Sequence, residues 1–86
     1  MQQVQHPVDV IAIHSADGTM RPIRFRMENA EKEHLRIDIE EIIKTSEISY
    51  VGAEATVFVC RARIGNRSVI LELKYRLRNH SWYLLK

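Results

Sequence analysis

Hydrophobic and polar residues alternate along most of this chain, which is the pattern of β-strands. The longest alternation spans residues 54–78 and is interrupted at Gly65-Asn66, a pair that suits a two-residue hairpin loop. It predicts one long β-hairpin with a single apolar face, because strand side chains have a period of two. On that face the opposed residues are Thr56 and Tyr75, Phe58 and Leu73, Cys60 and Leu71, and Ala62 and Val69. The other face carries Arg61, Arg63, Glu72, Lys74, Arg76 and Arg78.

Shorter strands are predicted on both sides of this hairpin. They cover residues 8–14, 19–27, 34–39, 47–51 and 82–85. Asp17-Gly18 is a strong hairpin-turn signal between the first two strands. Pro22 cannot donate a hydrogen bond to a sheet, so we expect it at an edge or a bulge.

One segment departs from strict alternation. Ile39, Ile42 and Ile43 follow the three- and four-residue spacing of a helix. Asp38 would cap such a helix, and Glu41 would complete a pair resembling a capping box. We therefore predict a short helix near 39–45, with a continuing strand as the competing interpretation.

The fold expected from these elements is mainly β. A leader at 1–7 precedes a single domain at 8–86, a small curled antiparallel sheet or barrel of about six strands with one short helix. With 86 residues the hydrophobic core is small. Self-association into a homodimer would bury further apolar surface.

Composition narrows the cellular setting. Cys60 is the single cysteine, so no intramolecular disulfide can form and a cytoplasmic location is the simplest expectation. The first ten residues lack the charged and apolar regions of a signal peptide. No apolar run approaches the roughly 20 residues of a membrane span, so we expect no membrane association.

Catalytic and metal chemistry find little support in the sequence. His6, His14, His34 and His80 do not have the spacing of a zinc site. Cys60 falls on the inward face, where a free cysteine behaves as a small hydrophobe. The three glycines form no phosphate-binding loop. We therefore expect a non-enzymatic protein with no cofactor and no metal.

The outer face of the long hairpin is the candidate functional surface. Val57, Val59 and Ile70 interrupt its basic residues, and an apolar patch rimmed by arginine is typical of protein interfaces. The first hypothesis is a homodimer or a protein partner docked on this face. The alternative is nucleic-acid binding by phosphate contacts and stacking on Tyr50, Tyr75, Trp82 or Tyr83. The candidate contact residues are Arg61, Arg63, Ile70, Lys74, Arg76 and Arg78.

A simpler interpretation of the arginines stays open. Outward positions of strands are polar, and arginine stems also cover apolar surface. The net charge of +2 is modest for a nucleic-acid binder.

The chain also resembles small bacterial β-rich domains of unknown function. The resemblance lies in the Asp17-Gly18 turn, the Pro22-Ile23-Arg24-Phe25 segment, the stretch 35–43, the hairpin 57–77 and the closing Trp82-Tyr83-Leu84. It implies a compact β-rich fold in a bacterial protein. It implies no activity and no site residues.

Overall fold

The protein is a closed antiparallel barrel. The computed structural model describes residues 5–85, which contain six strands. They are β1 (Gln5–His14), β2 (Met20–Glu28), β3 (His34–Ile48), β4 (Ala55–Ile64), β5 (Arg67–Arg76) and β6 (Ser81–Leu85). Each strand pairs with the next, and β6 pairs with β1. The predicted small antiparallel sheet or barrel of about six strands is confirmed.

The β4–β5 hairpin has the predicted loop and register. Ile64 faces Arg67 across the loop, and φ is +61° at Gly65 but not positive at Asn66, as in a type II′ turn. The observed pairs include Thr56–Tyr75, Phe58–Leu73, Cys60–Leu71 and Ala62–Val69. Of the predicted span 54–78, Glu54 precedes β4, and the last two residues lie beyond the end of β5 at Arg76.

The core fills the barrel interior. Its fully buried members include Phe25, Ile37, Phe58, Cys60 and Leu73, all of them on the apolar sides of alternating strands. Trp82 of β6 stacks on Phe58 with ring centroids 5.7 Å apart, and Tyr75 lies 4.9 Å from the Trp82 ring. These rings add a large buried apolar area to the core, as aromatic pairs do.

The helix predicted at 39–45 is wrong, because the segment is the middle of β3. Two residues of β3 have no partner on β4: Glu40 lies between the pairs Ile39–Ala62 and Glu41–Arg61, and Ile43 follows the pair Ile42–Cys60. Each extra residue is a β-bulge, which moves the alternation on by one position. Ile39 and Ile42 therefore both pack against the core although they are three residues apart.

β3 also absorbs part of another predicted element. It continues to Ile48, so residues 47–51 do not form a separate strand, and 49–54 connect β3 to β4. In the β1–β2 ladder, Ile23 is the extra residue between the pairs Ile11–Arg24 and Ala12–Pro22. The bulge expected at Pro22 is therefore confirmed, and Pro22 itself is buried.

β1 closes the barrel by changing partner along its length. Residues 5–8 pair with β6, from Gln5–Leu85 to Val8–Trp82, and residues 9–14 pair with β2. Within the predicted leader 1–7, residues 5–7 therefore belong to the barrel. Residues 1–4 and 86 lie outside the described residues.

Candidate interaction surface

The outer face of the β4–β5 hairpin carries most of the predicted site residues. Since opposed residues of an antiparallel pair share a face, the register forms rows across the two strands. These rows are Arg63–Ser68, Arg61–Ile70, Val59–Glu72, Val57–Lys74 and Ala55–Arg76. The structure thus places Arg61, Arg63 and Ile70 towards the loop end and Lys74 and Arg76 towards the base.

Arg78 does not belong to this face. It follows β5 in the turn 77–80, where its guanidinium packs over Gly52 of the connection between β3 and β4. Gly52 has φ +78°, and an added Cβ there would lie 3.2 Å from Arg78 Nη1. Arg78 therefore borders the base of the hairpin but lies off the outer sheet.

The loop-end arginines are paired with carboxylates of β3. Arg61 Nη1 lies 2.8 Å from Glu41 Oε1, and Arg63 Nη2 lies 3.1 Å from Glu40 Oε2. Glu40 is itself a bulge residue, and its other carboxylate oxygen accepts a 2.8 Å hydrogen bond from Ser68 Oγ. The hydrogen bond from Ser68, followed by that from Arg63, lowers the pKa of Glu40.

These ion pairs decide what the loop end can bind. A guanidinium already bonded to a carboxylate in this geometry must exchange that partner before it can contact a phosphate. The charges of Arg61 and Arg63 are balanced by Glu41 and Glu40 within the same surface. The outer face of the loop end is therefore close to neutral, and Ile70 at its centre is 61% exposed.

The basic side chains at the base lack such partners. Within residues 5–85, Lys74, Arg76 and Arg78 make no ion pair shorter than 4 Å. The Arg76 guanidinium lies 5.3 Å from the centre of the Tyr83 ring, a cation–π contact across β5 and β6. Tyr83 also faces Lys74.

Of the aromatic residues expected near the basic side chains, only Tyr83 shares their outer face. Tyr75 and Trp82 face the barrel interior, where each contacts the other. Tyr50 lies in the 49–54 connection and is 74% exposed. The alternation of β5 and β6 accounts for this division, because adjacent residues of a strand point to opposite sides.

A second arginine cluster lies on β2 and β3. Arg24 Nε donates a 2.7 Å hydrogen bond to Asp38 Oδ1, and this bond is the main reason that the pKa of Asp38 is lowered. Arg26 Nη2 lies 2.6 Å from Asp9 Oδ2, whereas Arg36 approaches Asp38 only to 3.9 Å. The three arginines and Asp9 border a groove of about 440 Å³. Here too, acidic residues balance most of the positive charge.

An incompletely paired edge of β5 adjoins the loop end. β6 pairs with residues 72–76 of β5, so residues 67–71 have a β-partner only on the β4 side within the described structure. Beside this edge is an opening of about 340 Å³. Its lining includes Met27, Ile64, Val69, Leu71 and Leu85. The feature was not predicted, because the register in which β6 pairs with β5 is set only in the folded sheet.

The remaining candidate chemistry is sparse. Cys60 is fully buried, as its inward position predicts, and desolvation raises its thiol pKa to about 11. A thiol with so high a pKa is a poor nucleophile at neutral pH. Among residues 5–85 no cluster of three or more histidine, cysteine or acidic side chains is arranged to hold a metal ion.

Comparison with known proteins identifies no relative of this chain. The chain matches no protein-family model, no curated protein and no solved structure. The part of the chain that the structure describes has no helix capable of crossing a membrane.

Proposed function

We propose that this protein is a non-enzymatic interaction module that self-associates through the loop end of the β4–β5 outer face. The main support for the proposal is an exposed isoleucine that lies beside arginines whose charges are balanced by carboxylates. Ile70 is 61% exposed and faces Arg61, whose charge is balanced by Glu41. Exposed apolar surface bordered by arginine is typical of protein interfaces.

Charge balance also favours a second copy as the partner. Two copies that bring the same surface together also bring the same charges together. Unpaired arginines would repel one another in such an arrangement, whereas Arg61 and Arg63 carry their own counter-charges. The single buried Cys60 and the resemblance to bacterial domains support a bacterial cytoplasmic setting for the module.

Light scattering over a concentration series tests the proposal. We expect a mass of twice 10.1 kDa at tens of micromolar, and Ile70→Lys should return the protein to a monomer. The matched control is Ile43→Lys, because Ile43 is an exposed isoleucine of β3 at 48% accessibility. A wild-type monomer throughout the series would contradict self-association.

Nucleic-acid binding is the second candidate, and Lys74, Arg76 and Arg78 are the predicted contact residues that support it best. The base of the hairpin combines Lys74 and Arg76, which make no ion pair within residues 5–85, with the outward Tyr83 and the neighbouring Arg78. Positive charge beside an aromatic ring is how small barrels contact single strands. Arg61 and Arg63 are less suited to this role, because carboxylates occupy them.

A salt series with a labelled single-stranded oligonucleotide tests this second function. Affinity should fall linearly with the logarithm of salt concentration if phosphates are contacted. Lys74→Glu with Arg76→Glu should abolish binding, while Arg61→Glu with Arg63→Glu should weaken it much less. The absence of binding at low salt would exclude the second function and leave the first unaffected.

A further inference from the structure

The edge of β5 at residues 67–71 has unused hydrogen-bonding capacity within the described structure. A two-residue loop makes the closing pair Ile64–Arg67 a hydrogen-bonded pair, and such pairs alternate along an antiparallel ladder. Val69 and Leu71 therefore bond to β4, whereas Ser68 and Ile70 direct their N–H and C=O groups away from it. Two donors and two acceptors thus face the uncovered side.

We propose that a second copy of the chain occupies this edge, so that two β5 strands pair antiparallel across a two-fold axis at Val69. This inference rests on the proposed self-association and specifies its geometry. Ser68 of each copy then faces Ile70 of the other, and each of these two pairs exchanges two backbone hydrogen bonds. The two barrels share one continuous sheet.

The position of the axis follows from the alternation. A two-fold axis perpendicular to the sheet pairs residues of the same face, so it can pass through Ser68, Val69 or Ile70. At Val69 all five residues of 67–71 are paired and all four edge groups are used. At Ile70 the residue Ser68 would face Glu72, which already pairs with Leu85 of β6. At Ser68 the residue Ile70 would face the hairpin loop.

The side chains on both faces are compatible with a second copy. On the inner face, the two Val69 side chains meet beside the opening that Ile64, Val69 and Leu71 line, so each barrel covers the apolar opening of the other. Arg67 of each copy faces Leu71 of the other on this side, where an arginine stem can pack over apolar surface. On the outer face, Ile70 lies between Arg61 of its own chain and Ser68 of the other copy. Glu41 balances the positive charge of Arg61 there. Covering an exposed β-edge removes unsatisfied backbone groups from solvent and is a common mode of association.

Single-cysteine crosslinking tests the geometry. In a non-hydrogen-bonded pair the two Val69 Cα atoms would lie about 4.5 Å apart, within the range of a disulfide. Val69→Cys should therefore form a covalent dimer under mild oxidation, detected by non-reducing electrophoresis. Ser68→Cys is the control, since its diagonal separation of about 7–8 Å is too long. Wild-type protein should not crosslink, because Cys60 is buried.

The outcomes separate this inference from the proposed function. A dimer by light scattering without crosslinking of Val69→Cys overturns edge pairing and leaves self-association intact. Crosslinking through Ser68→Cys instead would overturn the register. A monomer at all concentrations overturns both proposals.

Amide hydrogen exchange provides a second, substitution-free test. The Ser68 and Ile70 amides should be protected in concentrated protein and lose protection on dilution, since their partner is another molecule. Protection that does not change with concentration would show that the chain itself covers the edge. That result would overturn the inference.

Discussion

The two ends of the β4–β5 hairpin share one sequence pattern but differ in what surrounds them. At the base, β3 and β6 cover both sides, and Phe58 stacks on Trp82 inside the barrel. At the loop end β3 still pairs with β4, but within residues 5–85 β6 pairs only with residues 72–76 of β5. Among these residues, the base thus has strands paired on both sides and cations without ion pairs, whereas the loop end has the uncovered edge 67–71 and outer-face arginines paired with carboxylates.

This difference shows that alternation determines which side of a strand a residue occupies, and neighbouring strands determine what that side can do. Arg61 and Arg76 both point outwards from the same hairpin. Glu41 neutralises Arg61, whereas Arg76 lies over Tyr83. The base therefore combines buried aromatic packing with a positive surface, and the loop end carries the charge-balanced surface that we propose for association.

The largest contrast between the two ends should appear in stability. Phe58→Ala at the base should lower the free energy of unfolding by about 3–5 kcal/mol, because it removes a buried ring and leaves a cavity. Ile70→Ala at the loop end should change the stability of the monomer by less than about 0.5 kcal/mol, as for other exposed positions. Urea denaturation at dilute concentration measures both. Similar losses in the two variants would contradict the contrast, and Phe58→Leu replaces Phe58→Ala if the latter does not fold.

A smaller loss of stability is expected for a substitution in the loop between β4 and β5. Gly65→Ala should cost about 1–2 kcal/mol, because alanine is disfavoured at φ +61°. The control is Asn66→Ala, since φ at Asn66 is not positive. Denaturant midpoints of the two variants give the difference. Equal midpoints would mean that the turn does not impose the left-handed conformation.

The ion pair between Arg61 and Glu41 at the loop end should contribute less to the free energy of unfolding than the glycine of the loop. A double-mutant cycle on Arg61 and Glu41 should yield a coupling of about 0.5 kcal/mol that declines with salt, because both side chains are half exposed. Lys74→Ala at the base should show no salt-dependent loss, since Lys74 has no ion pair within residues 5–85. A coupling that persists in 1 M salt would contradict a screened surface pair.

The smallest expected effect is the change in stability with pH that is linked to ionisation of Glu40. The hydrogen bond from Ser68 and the neighbouring Arg63 hold the pKa of Glu40 below its ordinary 4.5. A lowered folded-state pKa favours the ionised form, so this contribution is present above pH 4.5 and is lost as pH falls through the folded pKa. NMR titration should show that Ser68→Ala raises the Glu40 pKa towards 4.5. Ser46→Ala, on β3 nearer the base, should leave it unchanged.

Local signals were sufficient to predict the hairpin. Gly65-Asn66 between two alternating runs determines both the turn and the register, and the pair Phe58–Leu73 follows without tertiary information. The inward position of Cys60 follows in the same way. These features depend on contacts between residues close in sequence, which is why the pattern contains them.

The bulges of β3 could not be separated from a helix by spacing alone. Ile39 and Ile42 face the same side either as neighbours on a helix or as strand residues separated by one bulge. The partner strand decides between these structures, since Ala62 and Cys60 provide the cross-strand pairs. Of the two acidic residues expected to cap a helix, Glu41 instead binds Arg61 of the hairpin, and Asp38 binds Arg24 of β2.

The character of the candidate surface also depended on tertiary structure. The pattern indicated that Arg61 and Arg63 point outwards, but their pairing with Glu41 and Glu40 requires β3 to lie beside β4 in one particular register. The open edge of β5 likewise results from the lengths of strands that are adjacent only after folding. Such features depend on lateral neighbours, which alternation within one strand does not describe.

The way β1 closes the barrel has a consequence for how fast the protein folds. Five of the six ladders join consecutive strands and can form from local segments, whereas the sixth joins Gln5 to Leu85. Contacts between residues so distant in sequence form slowly, because loop-closure entropy is lost before they become favourable. We expect the closure of β1 onto β6 to come late, after a transition state in which the β4–β5 hairpin is already formed. Substitutions at Val8 should therefore accelerate unfolding while leaving the refolding rate nearly unchanged.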